Sequence, residues 1–205
     1  MLSQLEDARG ILPGALEMVA ALETAQGNHA AYDISRASQR ISGLTLGRAD
    51  LIMDLRPEPS GEIHLMSYLM QRLITVAHAT GVMPIGAWWR APDRGLLATP
   101  EHTYQAARRG RAIGFQGSLC ILDNQVEPLH RGFTPAPEEL QAAQHILAAY
   151  QAGTVQGAAA VKQGNRIIDR GTAAQAKHLV ALAEACAVRE QGKVEALSHP
   201  PLAIP

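Results

Sequence analysis

Two acidic residues carry the clearest chemical signal in this sequence. Glu23 closes the run LEMVAALE (residues 16–23), and Asp50 follows the run ISGLTLG (residues 41–47). Each side chain is expected at, or just past, the C-terminal end of a strand, in consecutive βα units. Neighbouring parallel strands lie about 5 Å apart, so two such carboxylates can share one hard cation. Magnesium suits the pair, because it takes one or two carboxylates and leaves its other positions to water and substrate oxygens. The same residues have a second reading, with Glu23 closing a loop and Asp50 capping a short helix over Leu51–Leu55. Spacing alone leaves both open.

The elements that must position this pair are legible as alternation. Apolar runs alternate with amphipathic stretches, the pattern of an α/β chain built from βα units. After 16–23, the stretch Ala30–Arg40 places Ile34, Ala37 and the following Ile41 at helical spacing. Residues 41–47 read as a strand, Asp50–Asp54 as a helical turn, and Arg56–Gly61 as a loop with two prolines. Leu65, Leu69, Leu73, Val76 and Ala77 predict a helix from Ile63 to Thr80, closed by Gly81. Met83–Trp89 reads as a third strand, 100–112 as a helix with Pro100 in its first turn, and Gly117–Leu122 as a fourth strand. Helices near 124–130 and over Pro137–Tyr150 follow. Gly153–Asp169 is rich in Gly and Ala, 171–190 is an amphipathic helix, and the proline-bearing end from Gln191 reads as disordered. The expectation is four βα units and a C-terminal appendage. Catalytic groups of such sheets gather at strand ends, here Glu23, Asp50, Arg90 and Asp123. Arg90 is a candidate for binding a substrate carboxylate.

Composition narrows the function class. The chain has 205 residues, 47% hydrophobic and 18% charged, with a formal net charge of −1. That balance lacks the basic footprint of a nucleic-acid binder or a membrane-surface protein. Eight aromatic residues against 35 alanines give an aliphatic core and few stacking platforms for single-stranded nucleic acid. Cys120 and Cys186 match no metal or redox spacing and read as buried thiols in a reducing compartment. With no transmembrane-length run and no basic-then-apolar N-terminus, a cytoplasmic location is expected. The eight histidines show no HxH or HExxH spacing and read as surface or helix residues, His29 as a solvated loop residue. Arg108, Arg109 and Arg111 read as a solvated helix face, with contact to coenzyme A phosphates as the alternative.

The stretch LETAQGNHAAYDISRASQRISGLTLGRADL resembles the citrate lyase β-subunit and malyl-CoA lyase family. There an apolar strand ends in Glu-Thr-Ala-x-Gly and is followed by a helix, Arg-(Ile/Val)-x-Gly-Leu and Gly-x-x-Asp-Leu. The similarity continues through Ile-Gly-Phe-Gln-Gly (113–117), Gly-Phe-Thr-Pro (132–135) and Gly-x-x-Ile-Ile-Asp-Arg (164–170). The resemblance implies a (β/α)8 barrel of which residues 1–152 would carry strands 5 to 8. Residues 153–190 would form a lid and oligomerisation segment, and 191–205 a disordered tail. It makes Glu23 and Asp50 magnesium ligands, and gives Asp169 an acid/base role in a neighbouring subunit's site. Without it, Asp169 is a polar residue before a helix, and capping is the default.

The implied reaction is retro-Claisen cleavage of a 3-hydroxy-3-carboxyacyl-CoA, such as citramalyl-, citryl- or malyl-CoA. Mg2+ on Glu23 and Asp50 would chelate the hydroxyl and adjacent carboxylate oxygens, and Asp169 would protonate the thioester enolate. An Asp169 working in trans implies an oligomer, a trimer by family analogy. The chain departs from the family at Ile85-Gly86, where many members have Ile-Asp. It departs again at Ile121–Gln125, where many have Ile-His-Pro-x-Gln, and in Trp88 and Trp89. Counterparts of the family's first four strands, which supply an Arg and further acidic groups, are not recognisable. Two other readings follow: a non-catalytic partner or regulatory remnant, and a magnesium-dependent aldolase acting on free 2-keto acids.

Overall fold

The run Ile41–Leu46 forms β2, and Leu44 within it is fully buried. In the computed structural model, which describes residues 1–58, 61–90, 94, 97–155 and 157–198, β2 is the middle of a three-stranded sheet. Its neighbours are β1 (Met18–Leu22) and β3 (Met83–Ile85), both parallel to it, with Leu22 opposite Leu46 and Thr45 opposite Ile85. The helices of this first unit are α1 (Leu2–Ala8), α2 (Ala25–His29), α3 (Ala31–Arg36), α4 (Arg48–Leu55), α5 (Glu62–Thr80), α6 (Pro100–Ile113) and α7 (Val126–Phe133). The chain is therefore α/β, as its alternating pattern indicated.

The helix α5 covers one face of the sheet. Leu73, Ile74, Val76 and Ala77 form a buried cluster with Leu22, Leu44 and Phe115. One turn or two earlier, Met66 and Leu69 close over Leu51 of α4. Fully burying a leucine stabilises a fold by about 1.5–3 kcal/mol, so this contact holds the strand ends and α4 in place. The helix stops where expected: Gly81 has φ 77°, a conformation that disfavours residues with a Cβ, and Val82 N–H returns to Ala77 O at 3.0 Å.

Two expected strands are corrected. The third stops at Ile85 rather than Trp89, because the Trp88 N–H turns away to donate to Ala106 O of α6 at 3.0 Å. The fourth, over Gly117–Leu122, is reduced to a single bridge between Ile85 and Gly117. Beyond the bridge, Ile121 and Leu122 donate their N–H groups to the Gln125 side chain at 3.0 and 3.3 Å instead of to a strand. Leu119 and Ile121 are consequently exposed, and so is Cys120, while Cys186 is half-buried; the expectation of two buried thiols is thereby corrected.

The N-terminal segment, silent in the sequence, is organised by a buried charge. Glu6 of α1 is fully buried and faces both guanidinium nitrogens of Arg40 at 2.6 Å. It also accepts the N–H groups of Gly14 at 3.0 Å and Leu16 at 2.9 Å. Arg40 adds a bond to Leu16 O at 3.0 Å. Together these bonds tie residues 6–16 to the entry of β2. The Arg40 hydrogen bonds, then the two N–H groups, lower the Glu6 pKa to about 2.

A second compact unit begins at Thr134, the first ending at Phe133; the expected boundary followed residue 152. This second unit contains α8 (Pro137–Val155), the antiparallel pair β4 (Val161–Gln163) and β5 (Arg166–Ile168), and α9 (Arg170–Ser198). The helices α8 and α9 pack on one another, with Ala143, Ala173 and Ala176 buried. Residues 191–198, expected in the disordered tail, are instead the last turns of α9. Pairs such as Gln191 with Glu195 at 3.1 Å and Lys193 with Glu190 run along them. Residues 199–205 of that tail lie outside the described residues. Among the described residues no helix is long and apolar enough to cross a membrane.

Candidate active site

Parallel pairing sets Glu23 and Gly47 at matching positions, each the first residue after its strand. The Gly47 N–H donates to Leu22 O at 3.1 Å and locks the two ends together. A Cβ on Gly47 would lie 2.2 Å from Glu23 Cγ and 2.5 Å from its Oε1. The Glu23 side chain therefore crosses the space that any side chain at position 47 would fill. Asp50 is three residues further on, in the first turn of α4, where the helix dipole favours negative charge.

Neither carboxylate has the alternative role considered for it. Gly47 is the N-cap of α4, which starts at Arg48 rather than Leu51, and Asp50 makes no cap. The loop after Glu23 is closed by other residues: Thr24 Oγ1 accepts from Gly27 N–H at 2.9 Å, and Asp54 accepts from Ala25 N–H at 2.6 Å. Glu23 and Asp50 are exposed and take no hydrogen bond among the described residues. No group of three or more His, Cys, Asp and Glu side chains is placed to hold a metal among the described residues. The donor set for a cation is thus two unspent carboxylates beside a glycine cradle. It fits magnesium completed by water and substrate oxygens.

Beside this pair, a cavity of about 180 Å3 opens at the C-terminal ends of β2 and β3. Its walls are mainly apolar, with Met66, Met70, Trp89 and Phe115 among them, and Arg48 lines one side. Arg48 donates to Glu62 Oε1 at 2.6 Å, and Arg94 donates to the same oxygen at 2.5 Å. The hydrogen bonds from Arg94 and Arg48 hold the Glu62 carboxyl below the usual range. Burial pushes the Arg48 guanidinium down, Glu62 opposes that shift, and the neighbouring Arg94 adds to it. Sequence reasoning missed this cluster. Its one signal was Arg48, standing directly between Gly47 and the Asp50 turn.

The remaining candidates fall elsewhere. Arg90 is exposed and lies five residues past the end of β3 rather than at a strand end. Burial, then the charge of Arg90, lowers the pKa of Arg109, whose Nε donates to Trp88 O at 3.1 Å. Asp123 opens a 3-10 turn with no strand before it and takes the Asn124 N–H at 2.7 Å. Arg111 donates to Gly132 O of α7 at 3.3 Å and so joins α6 to α7, while Arg108 lies over the Tyr104 ring within α6 itself. His29 is exposed as expected, but it is the last residue of α2 rather than a loop residue. In the second unit, Asp169 precedes α9 and accepts from Thr172 N–H at 2.8 Å and Thr172 Oγ1 at 2.9 Å. These bonds hold its carboxyl below the usual aspartate range.

Residues 1–122 match the family model HpcH/HpaI aldolase/citrate lyase. The chain belongs to the HpcH/HpaI aldolase/citrate lyase family. Within it, the citrate lyase subunit beta of Escherichia coli K12 is 26% identical over 190 residues, covering 92% of this chain and 61% of that protein. A (3S)-malyl-CoA thioesterase of Cereibacter sphaeroides is 28% identical over 187 residues, covering 90% and 62%. The chain thus spans about three fifths of the length of these relatives. The fold agrees with the CitE protein of Mycobacterium tuberculosis, whose structure contains magnesium, acetoacetate and coenzyme A. There the TM-score is 0.71 at 21% identity, over 88% of this chain and 72% of the other.

Proposed function

We propose that this chain is a magnesium-dependent carbon–carbon lyase acting on a 3-hydroxy-3-carboxyacyl-CoA, cleaving it to acetyl-CoA and a keto acid or glyoxylate. The observation that carries this reading is the Glu23 carboxylate lying across Gly47 at the paired strand ends, with Asp50 one turn on and neither carboxylate spent on the protein. Glu23 and Asp50 would hold the cation. Bound there, Mg2+ would supply positive charge to the hydroxyl and carboxylate oxygens of the substrate, favouring loss of the hydroxyl proton. The two side chains orient the group whose carbon–carbon bond breaks, and Arg90 is the proposed contact for a substrate carboxylate.

Cleavage leaves the bonding electrons on the α-carbon of the thioester, which then takes a proton. Asp169 is the proposed source of it, delivered to a neighbouring subunit of a homotrimer. Its bonds to Thr172 stabilise the ionised carboxylate, so the resting group is a base. Donating a proton requires those bonds to open and the carboxyl to be protonated first. In this reading the three-stranded sheet belongs to the second half of a (β/α)8 barrel. The exposure of Val19 on the edge strand β1, and of Leu119 and Ile121, supports it, since further strands would cover such apolar groups.

The test is an assay of the full chain with Mg2+ and a panel of citramalyl-, citryl- and malyl-CoA, reading acetyl-CoA and free coenzyme A separately. Acetyl-CoA together with a keto acid or glyoxylate is the expected outcome. Free coenzyme A alone would mark a thioesterase, and no turnover of any of the three would end the lyase reading.

A further inference from the structure

A long cationic side chain grows from the turn that carries the carboxylate pair. Arg48 directly follows Gly47, over which the Glu23 side chain lies, and precedes Asp50 by two residues. Residues two apart on a helix do not face each other, so Glu23, not Asp50, is the partner a free Arg48 would find. A guanidinium and a carboxylate so placed ordinarily pair, as Arg40 and Glu6 do at the entry of β2. Arg48 pairs elsewhere: it donates to Glu62 Oε1 at 2.6 Å, where Arg94 joins it. The Arg48 and Glu62 side chains are only 27% and 19% exposed, while Glu23 is open to solvent. A partly buried ion pair is screened less than an exposed one, so Glu62 outcompetes Glu23 for the guanidinium. Glu62 opens α5, and Met66 and Leu69 of that helix pack on Leu51 of α4. Its carboxylate therefore meets Arg48 from a fixed base.

We propose that Glu62 is a positioning residue: by holding Arg48 it keeps the Glu23 carboxylate free for a divalent cation. The inference rests on the reading of Glu23 and Asp50 as cation ligands, and extends it to a residue that acts only through another. Released from Glu62, Arg48 would pair with Glu23, and an arriving Mg2+ would have to displace a positive charge already in place.

The experiment is isothermal titration of the full chain with MgCl2, without thioester, each variant first checked for a cooperative melting transition. Glu62→Gln is expected to raise the Mg2+ dissociation constant about fivefold, the scale on which an exposed ion pair competes. Glu62→Asp, too short to hold Arg48 as closely, should shift it the same way by less. Adding Arg48→Gln to Glu62→Gln should restore the parental value, even though the ion pair between α4 and α5 is then gone. Adding Arg94→Gln instead gives the same net charge but leaves Arg48 free, and should not restore it. The proposal is overturned if Glu62→Gln, or Glu62→Asp where the first does not fold, binds Mg2+ as the parent does. It is equally overturned if both double variants restore binding, which would be a plain charge effect, if neither does, which would be a structural one, or if the parent binds no Mg2+. Mg2+ binding by the parent without cleavage of any thioester would end the lyase reading and leave this inference standing. Unchanged binding in folded Glu62→Gln would do the reverse.

Discussion

At the scale of the residue, Gly47 and Glu6 are the most consequential single positions. Gly47 has φ −80°, which alanine adopts freely, so Gly47→Ala should leave the melting temperature nearly unchanged. The added Cβ would nevertheless occupy the place of Glu23 Cγ and push the carboxylate aside. Isothermal titration with Mg2+ should show weaker binding in this variant; unchanged binding would remove Glu23 from the cation site. Glu6 titrates in the opposite corner of the fold. Its pKa falls from an ordinary 4.5 to about 2 on folding, so its stabilising effect is complete above about pH 4.5 and lost as the pH falls towards 2. Denaturation followed across that window should show the loss in the parent chain and a flatter profile in Glu6→Gln, which starts less stable.

Elements connect these residues to the core. The position of α4, and with it Asp50, depends on Leu51 packing under Met66 and Leu69, while α5 is held down one turn later by Leu73 and Ala77. Leu73→Ala should cost about 2–5 kcal/mol, the range for deleting a buried leucine side chain where the site collapses only in part. The denaturation midpoint should fall without a change in slope. Exposed positions of α5 carry no such cost: Tyr68, 60% exposed, should tolerate Tyr68→Ala with little change. The helix was readable because a spacing of three and four residues survives any tertiary context. The end of β3 and the missing fourth strand were not. Apolar runs of four to six residues signal only that something buries them, and here the Gln125 side chain and α6 compete for the backbone groups that a strand would use.

For the whole molecule, the question is whether one site draws on two chains. If Asp169 serves a neighbour, then Glu23→Gln and Asp169→Asn chains, each inactive alone, should recover lyase activity when mixed and allowed to exchange subunits. One interface of each mixed trimer would then join an intact Glu23 to an intact Asp169. Recovery that fails despite demonstrated mixed oligomers would place Asp169 outside the reaction. Light scattering on the same samples would count the subunits directly. The Asn variant suits this test because Asn also accepts an N-cap hydrogen bond, so a loss of activity is not a loss of α9.

The α/β class, the positions of β2, α5 and α6, the start of α9 and the family were legible in the sequence, because periodicity and short ordered motifs are local properties. Glu23 and Asp50 were legible as a pair for the same reason, although spacing could not separate a cation site from two caps. Tertiary structure removed the capping roles and left the carboxylates unspent: parallel register brings Glu23 over Gly47, Thr24 and Asp54 hold the turn after Glu23, and Gly47 is the N-cap of α4. It also decided what no local pattern encodes. Glu6 meets Arg40 across 34 residues, and Arg48 and Arg94 converge on Glu62 beside an apolar cavity. A charged side chain in a sequence carries no mark of its partner. Only the packed chain determines which carboxylates are neutralised and which remain available for chemistry.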